Sequence, residues 1–94
     1  MTTIIHKIFT KGTQGWIYKE IYSENKRKFR IFIDIDSYNF QSKARIELFN
    51  DKEEWVKLHS LHYSELPERH TITQEKDLSN IIGKLKQVGR EIIF

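Results

Sequence analysis

Two successive segments, Lys28 to Asp36 and Phe40 to Phe49, alternate apolar and polar residues with a period of two, and this pattern limits the fold more than any other feature of the chain. Successive side chains of a strand point to opposite faces of a sheet. Phe29, Ile31, Ile33 and Ile35 therefore share one face, and Arg30, Phe32, Asp34 and Asp36 the other. In the second segment Phe40, Ala44, Ile46 and Leu48 fall inward, against Gln41, Lys43, Arg45, Glu47 and Phe49 outward. A hairpin joins the two. The outward face is both charged and aromatic, which is more than a solvated sheet needs.

Weaker signals flank this hairpin. Ile4 to Phe9 reads as a strand, broken by Gly12 and Gly15. Trp16 to Ser23 reads as a second strand, with Ile17 and Ile21 inward and Trp16, Tyr18, Glu20 and Tyr22 outward. Its register is the least constrained step, because the three aromatic residues also suit an inward set. After the acidic turn Asn50 to Glu54, Trp55 to His62 is a further strand, with Val56 and Leu58 opposite Trp55, Lys57 and Leu61. Leu78, Ile81, Ile82, Leu85 and Val88 recur at helical spacing and predict one helix over 74–88, with Thr73 as its cap and Gly89 just past its end. Gly83 inside it suggests close packing on the sheet. Arg90 to Phe94 suits a last short strand or an extension on the core. The strand connections are too short for crossover helices. The expected fold is α+β: an antiparallel meander of four to six strands with one C-terminal helix packed on one face.

Ninety-four residues make a single small domain, 1–94, whose stability margin is thin because small domains bury a lesser share of their surface. There is no cysteine, so disulfides and thiolate metal sites are excluded, and stability must come from packing or oligomerisation. The first nine residues carry no basic region before an apolar run, and no stretch approaches membrane-spanning length, so a cytoplasmic protein without a membrane partner is expected. The net charge of +3 is uneven. Residues 1–30 carry seven basic against two acidic side chains, residues 31–83 six against ten, and residues 84–94 three against one. The basic N-terminal third favours an anionic partner.

One helix can cover one face of such a sheet. The other face is left with Trp16, Tyr18, Tyr22, Phe32, Phe49 and Trp55, interleaved with Arg30, Lys43, Arg45 and Lys57. Exposed aromatic surface of that extent marks binding or self-association, unless it forms a second small core or cross-strand packing pairs. Rings among cations suit single-stranded DNA or RNA, with bases stacked and phosphates held. The candidate contacts are Trp16, Tyr18, Lys19, Tyr22, Lys26, Arg27, Lys28, Arg30, Phe32, Lys43, Arg45 and Trp55. In its order of elements the chain resembles the positive-cofactor, Whirly and PUR group of nucleic-acid-binding domains. That resemblance implies a sheet face presented by a homodimer and carries over no residues. The rival class is a protein-binding inhibitor of phage or mobile-element type (anti-CRISPR, anti-defence or immunity), for which aromatic and arginine residues serve as interface anchors. The acidic middle segment, with Asp34, Asp36, Asp51, Glu53 and Glu54, fits that rival better.

Nothing in the sequence supplies a catalytic, metal or cofactor signature, and the expectation is a protein that is not an enzyme. His59 and His62 point to opposite faces if they lie on a strand. Asp34 and Asp36 share a face, and Glu47 across from them would complete a carboxylate cluster, but Lys43 and Arg45 are equally near, and ion pairing explains them. The hairpin Ser37 to Ser42 exposes a tyrosine and amides at a loop tip, where recognition and plain turn chemistry both operate.

Overall fold

A computed structural model describes residues 2–13 and 15–92. Five strands, β1 (Thr2–Lys11), β2 (Gly15–Glu24), β3 (Arg27–Asp36), β4 (Lys43–Phe49) and β5 (Trp55–Leu61), form one antiparallel sheet in the order β1-β2-β3-β4-β5. A single α-helix, α1 (Ser79–Arg90), packs on one face. The fold is thus the α+β meander with one helix that the alternation predicts. Short connections keep neighbours in sequence adjacent in space. The β2–β3 turn places Asn25 and Lys26 at φ 54° and 63°, the twist a two-residue hairpin requires. Gly15 faces β3 so closely that a Cβ there would sit 1.9 Å from the Ile35 carbonyl oxygen. Only glycine fits.

The inward face of β3 and β4 is as predicted: Phe29, Ile31, Ile33, Ile35, Ala44, Ile46 and Leu48 are buried, under Leu78, Ile81 and Leu85. The second strand is reversed. Tyr18 pairs across from Ile33 and Tyr22 from Phe29, so Trp16, Tyr18, Glu20 and Tyr22 face the helix side, while Ile17 and Ile21 face away. The larger apolar area of the aromatic rings explains the choice, and Tyr22 stacks on Phe29 at 5.2 Å. The charged member of that set, Glu20, is buried only because the helix supplies a partner, Lys86 Nζ at 2.7 Å, and Tyr18 donates its hydroxyl proton to the same carboxylate. Arg90 on Glu24 at 3.0 Å and Lys7 on Glu75 at 2.9 Å tie the helical segment to β2 and β1.

Two further expectations change for local reasons. A bulge in β5 shifts the register between Ile46 and Glu47, so Trp55 faces outward opposite Phe49 while Leu61 faces inward opposite Ala44 and is buried. Phe40 is not the first inward residue of β4. It lies in a 3-10 turn, Asn39–Gln41, and is 64% exposed.

The helix begins later than its periodicity suggests, after a 3-10 turn at Glu75–Leu78. Thr73 does not cap it by accepting a hydrogen bond. Instead the Asp77 carboxylate accepts from the Thr73 and Gln74 backbone N–H groups at 2.9 and 3.1 Å, and these bonds hold its carboxyl below the usual range. Gly89 lies inside α1, buried, where a Cβ would meet the Phe29 ring at 3.1 Å and the Tyr22 hydroxyl at 3.3 Å. Gly83, by contrast, is exposed with nothing within 4 Å of its missing Cβ, so close packing belongs to Gly89. Of the expected terminal strand, Arg90 closes α1 and residues 93–94 lie outside the described residues.

Candidate functional site

The face of the sheet turned away from α1 is open, and the strand register arranges its side chains in rows across the strands. One row runs His6, Ile21, Arg30, Glu47, Lys57; the next runs Ile8, Lys19, Phe32, Arg45, Ser60. A third holds Thr10, Ile17, Asp34 and Lys43. At one end Phe49 pairs with Trp55, ring centroids 5.1 Å apart.

Cations roof these rings. The Arg30 guanidinium lies 4.4 Å from the Trp55 centroid, Arg45 4.5 Å from Phe32, and Lys28 Nζ 4.5 Å from Phe49, with Lys19 Nζ 5.8 Å from Phe32. Glu47 sits between the arginines, accepting from Arg30 Nε at 2.8 Å with Arg45 Nε 3.6 Å away. The hydrogen bond from Arg30 holds the Glu47 carboxyl below its usual range. The arginine side chains remain 36% and 37% exposed, so part of each donor fork still meets solvent. Six cations on this face (Lys19, Lys28, Arg30, Lys43, Arg45, Lys57) stand against three carboxylates (Asp34, Asp36, Glu47), a surplus of three positive charges. Burial pushes the Asp34 carboxyl up, with Asp36 adding to the effect and Lys43 opposing it.

Shallow depressions interrupt the face. One of about 360 Å³ is lined by His6, Lys19, Arg30, Phe32 and Arg45. A second of about 500 Å³, at the end of the sheet, is lined by Lys26, Arg27, Lys28, Phe49 and Asn50.

Seven of the sequence-derived candidates therefore meet on one surface or its rim: Lys19, Lys28, Arg30, Phe32, Lys43, Arg45 and Trp55. Lys26 joins them at the end depression, which Arg27 also borders while donating to the Ile92 carbonyl at 2.7 Å. Trp16, Tyr18 and Tyr22 do not join them. Tyr18 and Tyr22 are buried beneath the helix side, where desolvation raises both hydroxyls far above the usual range, and Trp16 stacks on Phe9 at 4.9 Å. Phe49, which alternation already sets on the outward face, joins the open-face residues as well. Sequence reasoning leaves out His6, Ile8 and Ile21: the positions on β1 depend on a bulge between Ile4 and His6 that has no sequence signature, and Ile21 depends on the reversed register of β2.

The carboxylate cluster does not assemble: Glu47 faces Arg30, and Asp34 faces Lys43. His62 lies beyond β5, its Nδ1 accepting from the Ser64 N–H at 3.2 Å. Among the described residues no group of three or more His, Cys, Asp or Glu side chains is placed to hold a metal ion, and no helix is long and apolar enough to cross a membrane. At the β3–β4 loop tip Tyr38 and Phe40 are 60% and 64% exposed, their rings 6.1 Å apart. Comparison with protein-family models, with curated proteins and with solved structures finds no match.

Proposed function

We propose that this chain is a non-enzymatic binding domain that takes single-stranded DNA or RNA on the open face of its sheet. The observation that carries the reading is the roofing of Phe32, Phe49 and Trp55 by Arg45, Lys28 and Arg30. A guanidinium is itself a flat surface on which a base can stack and still offers donors to phosphate, so one unit meets both parts of a nucleotide. Lys19, Lys28, Lys43, Arg45 and Lys57 are spread across the face rather than along one strand, which suits a chain of phosphates crossing the sheet.

The test is fluorescence anisotropy with a labelled single-stranded oligonucleotide. Five phosphate contacts, each adding about 0.7 to the logarithmic salt slope, should lower affinity about 100-fold between about 50 and 200 mM salt. Trp55→Ala should cost about 1–3 kcal/mol of binding. Trp16→Ala should leave binding unchanged, because Trp16 stands on the other face. Absence of binding at low salt overturns the reading. A protein target is the second reading, favoured by the exposed Tyr38 and Phe40 pair at the loop tip, since such rings serve as interface anchors. Loss of target capture on Tyr38→Ala, with oligonucleotide binding absent, would put that reading first.

A further inference from the structure

We propose that β1 is an association edge, pairing antiparallel with β1 of a second copy about a two-fold axis at Ile8, so that two five-stranded sheets become one continuous sheet. β1 spans ten residues at the end of the strand order, and among the described residues no strand pairs with its outer side. Every residue from Thr2 to Ile8 is exposed, whichever face it occupies. Ile4, Ile5 and Ile8 are 50%, 57% and 38% exposed. Long edges of this kind are normally blunted by charged side chains or proline. β1 has no proline, and its two lysines are turned onto their own chain: Lys7 Nζ lies 2.9 Å from Glu75, and Lys11 Nζ lies 5.7 Å from the Trp16 ring. The opposite edge, β5, is shorter, seven residues against ten.

A second copy fits this edge better than a foreign acidic strand does. The Lys7 charge is already paired with Glu75, which leaves an acidic peptide little charge on β1 to recognise beyond Lys11. An apolar, hydroxyl-rich strand meets its like. The charges also select the register. His6, Ile8 and Thr10 face the open side and Lys7, Phe9 and Lys11 the helix side, and paired strands must keep matching faces together. A two-fold axis at Ile8 sets Ile8 against Ile8, His6 against Thr10 and Lys7 against Phe9. An axis at Lys7 would oppose two lysines, which is unfavourable. The bulge between Ile4 and His6 ends the regular stretch, leaving His6 to Thr10 symmetric about Ile8. The two open faces then form one basic surface, although the pairing itself needs no ligand.

The chain has no cysteine, so one introduced thiol is unambiguous. Without nucleic acid, sedimentation of the wild type at micromolar to submillimolar concentration should give twice the 11.4 kDa chain mass. Ile8→Cys should form a disulfide dimer under mild oxidation at least about ten-fold faster than Thr10→Cys, whose thiols would stand roughly 13 Å apart. Ile8→Lys should be monomeric with an unchanged far-ultraviolet circular dichroism spectrum. A wild-type monomer throughout, equal cross-linking of the two cysteine variants, or a dimer that survives in folded Ile8→Lys would each overturn the proposal.

Discussion

The two faces of the sheet carry the same three-part unit, a carboxylate, a cation and an aromatic ring, yet only one of them is covered. On the helix side Glu20 is 1% exposed and meets Lys86, whose ammonium lies 4.8 Å from the Tyr22 ring. On the open side Glu47 meets Arg30 and Arg45, which lie over Trp55 and Phe32. Cover decides what the unit does. Beneath α1 the pair is desolvated and each partner is obligatory, because an unmatched buried charge is costly. On the open face water screens the pair, and the cations remain available to an outside anion.

The sharpest way to break this comparison is to remove one cation from each face. Lys86→Met leaves the Glu20 carboxylate buried with only the Tyr18 hydroxyl, and should cost about 3–5 kcal/mol in denaturant unfolding. Arg45→Met, at a pair more than a third exposed on its cationic side, should cost about 0–1 kcal/mol. Equal losses would mean that the open face is not screened as its exposure implies. Truncations of the core come next. Ile33→Ala, at a fully buried site, should cost about 2–4 kcal/mol, and the half-buried Ile82→Ala less. An unchanged thermal midpoint for Ile33→Ala would mean that the sheet is packed the other way round.

That last possibility is where sequence reading and structure part. β3 and β4 were legible because their alternation sets Ile and Phe against Asp, Arg, Lys and Glu, leaving one register that buries apolar area. β2 was not, because Ile17 and Ile21 compete with Tyr18 and Tyr22 as inward sets, and the decisive partner of Glu20 comes from Lys86, 66 residues away in sequence. Periodicity within a strand cannot report a cation on a distant helix. The bulge in β5 was equally hidden, since one extra residue moves Leu61 across the sheet without changing composition. On the open face, the contributions of β3 and β4 and the outward Trp55 could be read from alternation. The share from β1 and β2 cannot, and alternation alone therefore sends Trp16, Tyr18 and Tyr22 to a surface they do not reach.

Acid titration sharpens the same contrast on the open side alone. The Glu47 carboxyl is held low by Arg30, so its folded pKa lies below the ordinary 4.5. Its stabilising contribution is therefore present above about pH 4.5 and is lost as the pH falls through the lower folded value. Wild type should exceed Glu47→Gln by about 1 kcal/mol at neutral pH, the upper end for partly exposed pairs, and the two should converge in acid. A difference that persists in strong acid would assign the contribution of Glu47 to shape rather than charge.

A small effect is expected on the outer side of the helix that covers one of the two faces. Gly83 and Gly89 lie on the same helix six residues apart, but a Cβ at Gly89 would press on Phe29 and Tyr22, while a Cβ at Gly83 meets nothing within 4 Å. Glycine in an exposed helix interior keeps excess conformational freedom in the unfolded chain and is less favourable than alanine. Gly83→Ala should therefore raise stability by about 0.5–1 kcal/mol, read as a higher denaturant midpoint at unchanged slope. Gly89→Ala should lower it, since the aromatic floor would have to yield. If Gly83→Ala destabilises instead, that side of α1 is covered by something, and the helix can no longer be treated as a one-sided lid on the sheet.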